Sequence, residues 1–83
     1  MTYTLFCNTR ESFLCVEHTE LVRLGVADKI SSQSHQHGAW VYLDDEDDAP
    51  LFEKEKASRN EVVEIVDVYD DWNPIRTYPK YKV

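Results

Sequence analysis

Between Asn60 and Asp70 the chain reads Glu61-Val62-Val63-Glu64-Ile65-Val66-Asp67-Val68-Tyr69. Its five β-branched residues, Val62, Val63, Ile65, Val66 and Val68, are stiff about the first side-chain torsion and favour extended backbone. Apolar groups fall at odd and even positions alike, so both faces of such a strand call for cover. This stretch predicts a long, well-covered strand rather than a helix.

The rest of the chain supplies companions. Tyr3-Thr4-Leu5-Phe6-Cys7 is rich in β-formers and reads as a strand. Asn8-Thr9-Arg10-Glu11 is a turn in which Asn8 can bond its own backbone. Phe13-Leu14-Cys15-Val16 suits a short buried strand, with a helix from Glu11 as the rival reading. A tight hairpin here sets Cys7 opposite Ser12 and Cys15 opposite Thr4. Alternation then sends the two cysteines to opposite faces, so two buried, reduced thiols are expected rather than a disulfide.

Thr19 caps a helix over 20–24, with Glu20 near its positive end. Val22, Val26 and Ile30 would share a face of a longer helix; alternatively, Gly25 stops it after Leu24. Residues 31–38 are polar and read as a loop. Ala39-Trp40-Val41-Tyr42-Leu43 is a strand. Asp48-Ala49-Pro50 opens a second helix that runs to Ser58, supported by the pair Glu55 and Arg59, and Asn60 ends it. Pro74 and Pro79 keep 72–83 extended. The order β-β-α-β-α-β predicts a small α+β domain over 1–71. Its antiparallel or mixed sheet has about four strands with two short helices on one face, and 62–68 pairs antiparallel with 40–43. The aromatic and basic tail 72–83 is expected to fold back over the sheet, burying Trp72 and Tyr78.

Eighty-three residues make one domain with a small core. A hydrophobic fraction of 42%, with ten aromatic residues, argues against disorder. Two glycines exclude a Gly-rich phosphate loop. The N-terminus lacks a basic start and a long apolar stretch, and the longest apolar runs fall far short of the roughly 20 residues of a membrane span. Cytoplasmic residence and no membrane contact are the expectation.

Charge is sorted along the chain. Against 16 acids and 9 bases overall, residues 44–71 hold twelve acids and only Lys54, Lys56 and Arg59 as bases. That segment carries −9, the last twelve residues +3 and the first forty-three −1. Such a field repels phosphates and attracts basic protein surfaces or cations.

Five motifs invite a chemical reading, and each has a blander one. Asp44, Glu46, Asp48 and Glu55 fall at calcium-loop positions, but Ala49 stands where the sharp bend needs Gly and Pro50 follows. A solvated, helix-favouring turn fits better, and no metal or cofactor is expected. His35 and His37 match no zinc-ligand set and read as polar loop residues. Cys15 beside His18 lacks the electropositive setting of an activated thiolate. The acids of 61–71 define no cleft for paired-carboxylate catalysis. The tail residues Trp72, Arg76, Tyr78 and Tyr81, interleaved with Lys80 and Lys82, use the vocabulary of single-strand nucleic-acid binding, but the adjoining acids oppose direct nucleic-acid contact.

These observations point to a non-enzymatic module that binds a protein partner with a basic surface. Its candidate contacts are Asp44, Asp45, Glu46, Asp47, Asp48, Glu53, Glu61, Glu64, Asp67, Asp70 and Asp71, with Trp72, Arg76, Tyr78 and Tyr81 as an alternative docking tail. In size and charge alone the chain resembles inhibitor proteins of phages and mobile elements, some of which imitate DNA. A self-associating, possible-dimer domain whose acids serve solubility is the second reading. A metal-responsive module built on 44–55 or on the histidines is the third.

Overall fold

The computed structural model describes residues 2–82. Five strands form one mixed sheet: β1 (Thr2–Cys7), β2 (Ser12–Glu17), β3 (His35–His37), β4 (Trp40–Asp44) and β5 (Glu64–Tyr69), in the spatial order β3-β4-β2-β1-β5. Helices α1 (His18–Arg23) and α2 (Asp48–Ser58) lie on one face. The class is α+β as expected, with five strands instead of four.

β1 and β2 form the tight hairpin. Asn8 Oδ1 accepts from the backbone N–H groups of Arg10 (2.8 Å) and Glu11 (2.9 Å), which fixes the turn. Its register sets Thr4 opposite Cys15 and Cys7 opposite Ser12, so the thiols do face opposite ways; both are half-buried.

Both helices stop by the same device. Gly25 (φ 73°) and Asn60 (φ 58°) adopt left-handed backbone just past each helix end. Val26 N–H donates to Leu21 O and Gly25 N–H to Val22 O, each at 3.0 Å; Glu61 N–H donates to Lys56 O and Asn60 N–H to Ala57 O, again at 3.0 Å. These paired closures satisfy carbonyls that a helix end would otherwise leave free. Val22 is therefore excluded from the shared face with Val26 and Ile30: it is exposed, and they are buried. No helix among the described residues is long and apolar enough to cross a membrane.

The core lies between the helices and one sheet face. Tyr3, Leu14, Val16, Val41 and Leu43 meet Leu21 and Leu24 of α1 and Ala49 and Phe52 of α2. Phe13 and Ile75 are also buried but stand outside that cluster.

Three expectations are corrected. Residues 64–69 do not pair with β4; they run parallel to β1, from Thr2↔Glu64 to Cys7↔Tyr69, while β4 pairs with β2 and β3. Residues 35–37, expected as loop, are a strand, because the tail supplies its second neighbour: Gln36 N–H donates to Pro79 O (2.9 Å) and Tyr81 N–H to Ser34 O (2.8 Å). The tail does return to the sheet, but Trp72 stays 91% exposed.

Candidate functional site

β5 is the anomaly of this fold. Parallel strands are ordinarily covered on both faces. Here every residue of the strand is exposed, including Ile65 (39%), Val66 (51%) and Tyr69 (63%). The helices pack against β1, β2 and β4 and stop short of it. On its inner side β5 is held by the ladder to β1, continued by Asp70 N–H to Cys7 O at 2.9 Å. Backbone groups of successive strand residues point to alternate sides, so Val66 and Val68 bond inward like Asp70. The N–H and C=O groups of Ile65, Asp67 and Tyr69 then face the free edge, where no strand pairs among the described residues. The opposite edge of the sheet is treated differently, since residues 79–81 cap β3.

Polar residues of β5 and its exit are only lightly engaged. Glu64 Oε2 accepts from Thr2 Oγ1 at 3.3 Å. Tyr69 Oη donates to Asp71 Oδ1 at 2.8 Å, a bond that raises the phenol's pKa. Asp70 Oδ1 accepts from the N–H of Trp72 at 2.9 Å, turning the chain and leaving the indole in solvent.

The eleven candidate carboxylates do not form one surface. Asp48 is removed from it altogether: it is 3% exposed and accepts from Ser31 N–H, Ser31 Oγ and Ser34 Oγ. Asp44 is half-buried and accepts from Asp47 N–H at 3.1 Å. Asp45, Glu46 and Asp47 are exposed; Glu53 is half-buried, and burial, then Asp45, raises its pKa. The group at 44–47 and the group at 70–71 share one end of the sheet, three strand spacings or about 14 Å apart. Basic residues stand between them. Arg10 lines one hollow with Asp44, Asp45 and Glu46 and a second with Asp71 and Arg76, and Arg76 Nε pairs with Glu11 at 2.9 Å.

Glu61 is committed elsewhere. Lys56 is buried, its ammonium 2.9 Å from Glu20 Oε1 and 3.1 Å from Glu61 Oε1, and Arg23 spans the same two acids at 2.6 Å. Hydrogen bonds from Arg23, then Lys56, hold Glu20 and Glu61 at about 2. Burial pulls the Lys56 pKa down, but hydrogen bonds with Tyr3, Glu20 and Glu61 outweigh it, and the net shift is upward. This is a clamp between α1, α2 and the start of the β5 segment.

The alternative docking tail is mostly occupied within the chain. Tyr81 is buried and its hydroxyl donates to Ala27 O; Tyr78 stacks on His37 at 4.3 Å between ring centroids and approaches Tyr42 at 5.3 Å. His35 Nδ1 lies 3.0 Å from Tyr78 O, so the histidines serve tail docking. Among the described residues no three His, Cys, Asp or Glu side chains cluster as a metal site. The calcium frame has no loop to act in, because helix begins at Asp48 and Glu55 lies well along it.

The sheet face opposite the helices carries a shallow groove of about 320 Å³ over Thr4, Phe6, Cys15 and Trp40. Burial pushes the Cys15 thiol up to about 11, against a hydrogen bond with Tyr42, so it stays protonated and non-nucleophilic.

Sequence reasoning named the acids of β5 but took Ile65, Val66, Val68 and Tyr69 for covered core. A signal was present. Glu61, Glu64, Asp67 and Asp70 recur every third residue, and a period of three places acids alternately on both faces of a strand, where neither face can then be dry. Comparison of the chain with known protein families, with characterised proteins and with solved structures found no match.

Proposed function

We propose that this protein is a non-enzymatic module that binds a protein partner with a basic surface, and that β5 is its binding element. One observation carries the reading: β5 exposes apolar side chains on both faces beside Glu64, Asp67, Asp70 and Asp71, on the sheet edge that no strand caps among the described residues. An exposed apolar edge strand is an aggregation hazard unless charge protects it or a partner uses it. The carboxylates do the first in the free protein. They also raise the association rate of a basic partner and bias its orientation.

The narrower form of this reading is an inhibitor of phage type that imitates DNA in a nucleic-acid-binding groove. It calls for an unbroken row of carboxylates, and Arg10 and Arg76 interrupt the row at the sheet end. The support therefore lies with the apolar and acidic strand rather than with charge imitation alone. Self-association is the second reading, favoured by the same open edge.

The test is retention on the immobilised protein of basic and acidic protein fractions from one extract, run at low and moderate salt. The basic fraction should be retained at low salt and released as salt rises. The variant Glu64→Gln/Asp67→Asn/Asp70→Asn/Asp71→Asn should lose that retention while keeping its fold by circular dichroism. Equal retention of both fractions, or an unaffected variant, would count against the proposal.

A further inference from the structure

We propose that β5 takes up an extended segment of its partner as a further strand of the sheet, and that this segment carries Lys or Arg at every third residue with apolar residues between. The inference rests on the basic-partner reading above and specifies what that partner presents.

The backbone comes first. The N–H and C=O groups of Ile65, Asp67 and Tyr69 face the open edge. Side chains alone cannot satisfy such a row in register; another extended backbone can. A helix lying across the groove over Phe6 and Trp40 would leave these groups untouched.

The side chains then set the pattern. Ile65, Asp67 and Tyr69 share the helix-bearing face with Tyr3 and Leu5, while Glu64, Val66 and Val68 share the opposite face with Thr2, Thr4 and Phe6. Residues directly opposite on paired strands point to the same face, with Cβ atoms about 5 Å apart. An incoming strand therefore meets an acid, two apolar groups and an acid in turn along Glu64, Ile65, Val66 and Asp67. Val68, Tyr69 and Asp70 repeat the order. A matching strand offers a base, two apolar groups and a base. The repeat reads the same whether the segment runs parallel or antiparallel, so the proposal does not depend on direction.

Charge chooses among occupants. A second copy of residues 64–71 would bring four more carboxylates to a seam that already holds Glu64, Asp67, Asp70 and Asp71, and like charges across a strand pair oppose pairing. No Lys or Arg lies between Glu61 and Asp71 to offset them. A basic strand removes the repulsion and covers Val66, Val68 and Tyr69 in the same step.

The experiment uses the full chain and three kinds of peptide, four in all, followed by fluorescence anisotropy and by backbone amide exchange. The first peptide copies residues 61–70 with each acid replaced by Lys. The second has the same composition with all its Lys residues at one end. The third is the first with alternate backbone nitrogens methylated, made in both phases of alternation. The expected result is that the first binds at least about tenfold more tightly than the second. One methylated phase should lose that advantage, and the amides of Ile65, Asp67 and Tyr69 should become protected in the complex. If the clustered and both methylated peptides bind as well as the first, charge alone drives association: the strand proposal falls and the basic-partner reading stands. If none of the basic peptides binds at low salt, both fall. A stable dimer whose 65, 67 and 69 amides are protected without peptide would overturn the proposal in favour of a second copy.

Discussion

The carboxylate of Asp48 and the hydroxyl of Ser34 meet in the interior, at the point where the acidic run turns into α2. Ser34 in turn accepts from Asp44 N–H at 2.8 Å, and Ser31 gives Asp48 both its N–H and its hydroxyl. One acid of a run that looks uniform in sequence is thus the structural pin that ties the 31–34 segment to the helix start. Asp48→Ala strands these donors and should cost roughly 3 kcal/mol, since hydrogen bonds to a buried charge are worth more than neutral ones. Asp45→Asn and Asp47→Asn, both exposed, should stay within about 0.5 kcal/mol. Urea unfolding of the three variants checks the contrast. Replacing Asp44, Asp45, Asp47 and Asp48 together should damage the fold through Asp48, the buried member of the four.

The Lys56 clamp sets an acid limit. Glu20 and Glu61 are held at about 2 against the usual 4.5. A carboxylate whose folded value is depressed adds stability that is fully present above its unfolded value and is lost as pH falls through the folded one. The contribution is therefore intact above about pH 4.5 and drains away towards pH 2. Lys56 shifts the other way, so its share is intact below the usual 10.5 and lost only in stronger alkali. Urea midpoints measured from pH 5 to pH 2 should fall less steeply for Glu20→Gln than for the native chain. Parallel slopes would show that the clamp does not govern acid stability.

Asn60 offers a stabilising change. Its φ of 58° is tolerated by Asn but natural for Gly at this position after a helix. Asn60→Gly should hold or raise the thermal midpoint, and Asn60→Ala should lower stability by about 1 kcal/mol, because Ala keeps the Cβ that resists left-handed backbone but lacks the short polar side chain that lets Asn adopt it. A calorimetric scan of the pair distinguishes them.

Amide exchange should alternate along β5. Val66, Val68 and Asp70 bond inward to β1 and should be protected; Ile65, Asp67 and Tyr69 face solvent and should exchange quickly. Uniform protection would mean that the free edge is covered in solution.

Much of this architecture is legible from local chemistry. Asn8 marks the hairpin turn, and the turn sets the register of Cys7 and Cys15. Gly25 and Asn60 mark helix ends because both tolerate left-handed backbone. What escapes is set by contacts distant in sequence. His35–His37 becomes a strand only because Pro79 and Tyr81 arrive beside it, and no local propensity records that. The pairing of β5 with β1 rather than β4 depends on where α2 delivers the chain. The apolar residues of β5 were legible as strand, and only the three-residue spacing of Glu61, Glu64, Asp67 and Asp70 records that neither face is covered. Within the candidate surface, the sequence identifies the acids and does not separate exposed Asp67 from buried Asp48.

The ladder between β1 and β5 has a consequence for the order of assembly. Thr2 and Glu64 are 62 positions apart, whereas β1 and β2 meet across a short turn, and closing the longer loop is the slower entropic step. The hairpin is therefore expected to form first, leaving the flank of β1 open until β5 reaches it. At high concentration another chain's β5 can arrive there sooner. Refolding from concentrated denatured protein should then yield strand-exchanged dimers joined through the segment around Asn60, separable by sizing from monomers refolded in dilute solution.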